Sequence, residues 1–162
     1  MIVVSDTTPL ISLLKIHRLD LLKQLFDTVQ IPEAVFKELT TNQRFNAEAQ
    51  EIRDCDYIKT VSVDKESVQK LIKETGLDLG ETEAIVLSES IKADLTLIDE
   101  RSARNVAKQR GIIITGTVGI LARGLSQGII SAEEIRDCAK ILHSEGRYIS
   151  DSLLDSLLEL AR

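Results

Sequence analysis

Two short apolar runs each end in an aspartate: Ile2-Val-Val-Ser5 runs into Asp6, and Leu95-Thr-Leu-Ile98 runs into Asp99. Taken singly, either residue is an ordinary helix cap or turn former. Together they gain meaning, because ligands in open α/β sheets bind outside the carboxyl ends of parallel strands. Two further regions extend the set. Glu38 lies near the end of an amphipathic segment, where the helix dipole disfavours a negative charge that no cation offsets. Glu81 and Glu83 open a helix after Gly80, where the dipole favours anions, and residues two apart point to different sides of a helix. Glu83 is chosen for the cleft because it directly precedes Ala84, Ile85, Val86 and Leu87; Glu81 is the reserve. Carboxylates from separated segments suit a hard divalent cation such as magnesium or manganese, which prefers oxygen ligands. Such an ion activates water and neutralises the charge that develops on a phosphodiester under in-line attack.

Beside this acidic set, Arg101, Arg104 and Lys108 recur at three and four residues. They form either a solvated helix face or a row of phosphate contacts. Other chemistries find no support. His17 and His143 are isolated and read as surface residues, so no Ser-His-Asp triad is expected. The region from Gly111 to Gly119 lacks the Gly-Lys-Ser/Thr of a nucleotide-binding loop, and Thr115-Gly-Thr provides no lysine for a phosphoacceptor receiver domain. Cys55 and Cys138 lie far apart without CxxC spacing, which fits ordinary thiols in a reducing compartment.

The formal charge of −6 argues against a broadly basic phosphate-binding surface, although metal ions invert the local field around carboxylates. An aromatic content of 3% without tryptophan argues against a base-stacking platform. No apolar run approaches the roughly 20 residues that span a bilayer, and the opening residues lack a basic leader. A cytoplasmic protein with no membrane partner is expected.

With 162 residues, 43% of them hydrophobic, the chain suits one substantial core. Strand signals and amphipathic segments alternate, which predicts an α/β fold with a central, mainly parallel sheet flanked by helices. Strands are expected at 2–5, 28–31, 58–63, 95–98 and 112–115, the third at a sheet edge. Pro32 is placed in the first turn of a helix carrying Val35, Phe36 and Leu39. Residues 40–56 are polar and ambiguous, with Glu48, Glu51 and Arg53 on a solvated helix. Asp64 is expected to cap a helix that stops at Gly76, and Ser131 with Glu134 forms a capping box. The tail, with Leu153, Leu154, Leu157, Leu158 and Leu160, is read as a helical extension over 131–162, packed on the domain formed by 1–130.

Four segments carry a resemblance: Asp6-Thr-Thr-Pro-Leu-Ile, Val35-Phe-Lys-Glu38-Leu, Leu79-Gly-Glu-Thr-Glu83-Ala-Ile and Leu97-Ile-Asp99-Glu-Arg-Ser-Ala-Arg. They resemble the ordered acidic motifs of PIN domains, and most closely a small prokaryotic PIN-like branch. The resemblance covers residues 1–130 and implies a three-layer α/β/α fold and a magnesium- or manganese-dependent endoribonuclease. It also implies the toxin half of a toxin–antitoxin pair, with a small DNA-binding antitoxin as partner and a homodimer as the assembly. By the same resemblance Asp6, Glu38, Glu83 and Asp99 are catalytic and metal-binding, and Thr8 contributes a hydroxyl near the RNA. The pattern departs in two places. Many active relatives carry another acid two residues after the fourth acid, where this chain has Arg101, and threonine two residues before it, where this chain has Leu97. Glu100 is a reserve oxygen ligand. These departures keep open the alternative of a catalytically degenerate PIN-fold binding or regulatory module.

Overall fold

The structure, a computed structural model, describes residues 1–41 and 46–161. Its sheet has five strands: β1 (Val3–Ser5), β2 (Val29–Pro32), β3 (Ile58–Val61), β4 (Leu95–Leu97) and β5 (Ile114–Thr115). They lie in the order β3-β2-β1-β4-β5, and every pairing is parallel. The chain first winds outward from β1 to β3 and then returns to the other side of β1 at β4. The direction of winding therefore reverses between β1 and β4, which is where an open parallel sheet forms a crevice at its carboxyl edge. Asp6 and Asp99 follow these two strands, and the Asp6 amide donates to the Leu97 carbonyl at 3.0 Å, tying their ends together.

Successive strand residues face opposite layers. Val3, Ile31 and Leu97 enter one core with α1 (Thr7–Lys15), α2 (Asp20–Phe26) and α8 (Thr117–Ser126). Val4 and Ile98 face the other layer, meeting Ala84, Leu87 and Ile85 of α6 (Leu79–Ser90). Around α6 stand α3 (Glu33–Thr41), α5 (Lys65–Thr75) and α7 (Arg101–Gln109). The three-layer α/β/α arrangement follows from these two apolar faces.

Local signals explain most boundaries. The Asp64 side chain accepts from the Ser67 amide at the start of α5, and Gly76 ends that helix with φ of 71°. Two expectations need correction. Pro32 is the last residue of β2, in register with Val61, and the helix begins at Glu33; proline, lacking an amide donor, is tolerated at a strand end. β3 also stops at Val61, short of residue 63. Within the ambiguous stretch, α4 (Asn46–Arg53) buries Ala49 and Ile52 while Glu48 pairs with Lys15 at 2.5 Å. Residues 42–45 of that stretch lie outside the described residues.

The tail joins the first core. Ser131 and Glu134 form the expected capping box of α9 (Ala132–Ser144), which buries Ile135, Cys138 and Leu142 in that core. Leu157 of α10 (Asp151–Leu158) is 3% exposed in the same cluster. Leu157→Ala is expected to cost about 2–4 kcal/mol of folding stability through the cavity it leaves. Urea unfolding checks this.

Candidate metal centre

Asp6 leaves β1 in an extended conformation, with φ −81° and ψ 176°, and precedes α1. Its side chain makes no capping hydrogen bond to that helix. It is nevertheless only 2% exposed. Burial pushes the Asp6 carboxyl up to about 7, the Thr7 amide holds it down in part, and the negative charges of Asp78, Glu81 and Glu38 raise it further. Near neutral pH Asp6 is therefore held partly protonated, and a compensating positive charge would favour its ionised form.

Glu38 projects from α3 towards α1 and accepts a hydrogen bond from the Thr7 hydroxyl at 2.8 Å. The bond fixes a residue that composition alone would leave solvated. Gly80, in the first turn of α6, explains the space between these groups. A Cβ at Gly80 would lie 3.2 Å from Glu38 Oε2, 3.5 Å from Thr7 Oγ1 and 3.6 Å from Asp6 Oδ1. Three oxygens, two from the start of α1 and one from the later part of α3, thus surround the position where the side chain is missing.

The structure brings Glu81 rather than Glu83 to this group. Asp78 caps α6 by accepting from the Glu81 amide at 2.8 Å, and Glu81 Oε2 accepts in return from the Asp78 amide at 3.2 Å. That reciprocal box fixes Glu81 on the cleft side, 9% exposed. Burial raises its carboxyl, as do Asp78, Glu100 and Glu38, against the lowering effect of the Asp78 amide. Glu83, two residues on, turns away and accepts from the Ala34 amide of α3 at 3.2 Å. The spacing Asp78-x-x-Glu81 is itself a capping-box signature and was the signal that could have settled the choice. Similarly, Thr7 rather than the half-buried Thr8 engages Glu38.

Asp99 stands on the other side of the β1–β4 crevice and caps α8. Its Oδ1 accepts from the Thr117 amide and its Oδ2 from the Thr117 hydroxyl, both at 2.7 Å. A carboxylate has about four acceptor sites, so two such bonds orient it while leaving it able to ligate. Gly116 permits the approach: a Cβ there would lie 2.6 Å from Asp99 Oδ1. Glu100 is exposed at the start of α7, makes no side-chain cap, and adds its charge to the field at Glu81. Arg104 donates to the Ile98 carbonyl at 2.8 Å, beside Asp99, while Arg101 and Lys108 are exposed on the same helix.

The acids therefore form two groups at the sheet edge, one around Asp6 and one at Asp99. Among the described residues no three Asp, Glu, His or Cys side chains already converge on one point as ligands. The donor set is nonetheless of oxygen only and includes a carboxyl that burial has driven away from its charged form, which fits a hard cation better than a zinc site. A cavity of about 540 Å³, bordered by Lys70, Glu74, Glu89 and Arg110, lies at the opposite end of α6 from these acids. Among the described residues no helix is long and apolar enough to cross a membrane.

A protein-family model described as a PIN domain matches residues 2–162, extending through the C-terminal helices. No curated protein matches the chain.

Proposed function

The chain belongs to the PIN-domain family, and from that premise we propose that it is a divalent-metal-dependent endoribonuclease hydrolysing RNA phosphodiester bonds. The observation that carries this reading is the cradle at Gly80, where oxygens of Asp6, Glu38 and Thr7 border a space without a side chain. Asp6, Glu38, Glu81 and Asp99 are the residues that would hold magnesium or manganese, with Asp78 and Glu100 adding negative field around them. A bound cation of this kind supplies water activation and neutralises charge on the phosphodiester.

The protein's own groups have distinct tasks. Thr7 orients Glu38, and the Thr117 amide and hydroxyl orient Asp99. Asp6, buried and crowded by acids, holds a proton more readily than an ordinary aspartate, and a bound cation would favour its ionised form. Arg101, Arg104 and Lys108 face the phosphate backbone beside the cleft, where arginine presents several donors to phosphate oxygens. Glu83 is not assigned to the metal in this reading.

Manganese-dependent cleavage of a mixed pool of single-stranded RNAs tests the proposal, with Glu38→Gln as the control. Cleavage by the parent and its loss in the variant are expected. RNA binding without any turnover, at every manganese concentration, would instead favour the degenerate binding module that Arg101, at the position of an additional acid, allows. The proposed setting is a cytoplasmic toxin–antitoxin pair, and co-purification with the product of an adjacent small gene checks it.

Arg101→Ala combined with Lys108→Ala is expected to weaken RNA binding for all sequences alike. The slope of log affinity against log salt should flatten by roughly 1.4 for single strands, the effect of two lost phosphate contacts. This pair is preferable to Arg104, whose guanidinium also holds the Ile98 carbonyl. Fluorescence anisotropy across a salt series measures the change, and an unaltered slope would return both residues to a solvated face.

A further inference from the structure

Glu83 accepts a single described hydrogen bond, from Ala34, and borders a cavity of about 290 Å³ between α3, α5 and α6. One wall is apolar, formed by Val68 and the half-exposed Leu79, while Gln69 adds an amide. Lys37 and Lys65 balance the charges of Glu33 and Glu83 around it.

This cavity adjoins the acid cradle through consecutive residues. On α3, Lys37 lines the cavity and Glu38 reaches the cradle; on α6, Leu79 lines the cavity and Gly80 borders the cradle. A polymer whose phosphate lay at the cradle would thus bring an adjoining group to the cavity.

We propose that this cavity is a base subsite: it takes one nucleobase of the RNA next to the scissile phosphate, and Glu83 selects a base that presents adjacent N–H donors, guanine above uracil. The inference rests on the RNA reading of the cleft. An apolar wall with a few fixed polar groups is what an unstacked base needs, because single-stranded RNA is read through bases splayed out of the stack. The carboxylate of Glu83 is an acceptor only, held in place by the Ala34 amide, and has acceptor sites to spare. Guanine offers N1–H and the N2 amino group side by side. Uracil sets its single N–H between two carbonyl oxygens, which a carboxylate repels. Lys37 and Lys65 would meet the phosphates on either side of the base.

The test compares short oligouridine strands with and without one central guanosine. Binding is measured by anisotropy with calcium in place of manganese, and cleavage is measured separately with manganese. The parent should bind the guanosine strand about tenfold more tightly, the scale of one good carboxylate-to-base contact, and should cut at a fixed distance from the guanosine. Glu83→Gln, which can still accept from the Ala34 amide, should lose most of that preference. Leu79→Ser, a change at an exposed residue, should weaken binding of both strands without removing the preference. Equal binding of the two strands by the parent, or an undiminished preference in Glu83→Gln, overturns the subsite. Cleavage without base preference overturns the subsite alone. A guanosine preference in binding, lost in Glu83→Gln, with no cleavage under any condition supports the subsite and overturns the nuclease reading.

Discussion

Asp6→Asn is expected to reduce manganese-dependent cleavage on the order of 10²- to 10³-fold, the scale seen when one fixed electrostatic group leaves an active site, while making the metal-free protein more stable at pH 8. The second half of that expectation is the unusual one. In the unfolded chain the carboxyl titrates at its ordinary 3.8, whereas in the folded chain burial and neighbouring acids push it up to about 7. Between those values the folded state holds a proton that the unfolded state has released, so stability falls as pH rises through this window. The whole window corresponds to at most about 4 kcal/mol. Asparagine cannot ionise and removes the penalty. Urea unfolding of the metal-free proteins at pH 5 and pH 8 should therefore find the parent weakening with pH and the variant changing much less. A parent equally stable at both values would mean that Asp6 is neither crowded nor desolvated as described.

Gly116→Ala should have the second-largest effect, and for a steric reason. Gly116 has φ −121° and ψ −168°, an extended conformation open to any residue, so no backbone strain is involved. Its added Cβ would fall 2.6 Å from Asp99 Oδ1, 3.0 Å from an Arg104 guanidinium nitrogen and 3.3 Å from the Ile98 carbonyl oxygen. Asp99 must then retreat from Thr117. Losing the two charge-assisted bonds that orient it is expected to cost about 2–4 kcal/mol of stability, somewhat less than two such bonds at full strength because water replaces them in part. Cleavage should fall with it, since the displaced carboxylate no longer faces the β1–β4 crevice. Thermal unfolding and single-turnover cleavage measure the two effects. A variant with parental stability and activity would remove Asp99 from the functional set.

How far these residues were legible in the chain depended on whether their role was local. Asp6 and Asp99 stood out because each follows a short buried run, and the parallel sheet does place both at its carboxyl edge beside the winding reversal. Asp64, Gly76, Ser131 and Glu134 were readable because capping is a matter of three or four neighbouring residues. Between Glu81 and Glu83 the apolar run points to the latter, while Asp78, three residues before Glu81, forms the capping box that holds Glu81 at the helix start, where its charge acts on Asp6. Thr7, Gly80 and Gly116 had no local signal at all. Their meaning lies in contacts with residues 31, 42 or 17 positions away in the chain, and only the folded chain brings them together. The same holds for Pro32, whose register with Val61 makes it the end of a strand.

The shared use of acids as caps and as ligands also explains why the fold tolerates them. Asp78, Glu81 and Asp99 each accept from a backbone amide at a helix start, where the dipole favours negative charge. Asp6 has no such side-chain cap and bears the largest cost of burial. Relief by a cation should therefore be greatest there.

Thermal unfolding across a manganese titration, at constant ionic strength and pH 8, tests the metal site most directly, with parent and Asp6→Asn side by side and calcium as the comparison for general divalent screening. The unfolded chain scatters Asp6, Glu38, Glu81 and Asp99 and binds the ion poorly, so manganese at about 100 times its dissociation constant should stabilise the parent by roughly 2.7 kcal/mol. The variant should start higher without metal and gain much less. A parent that gains nothing from manganese, or a variant that gains as much, would contradict the assignment of these acids to a metal site and with it the nuclease reading.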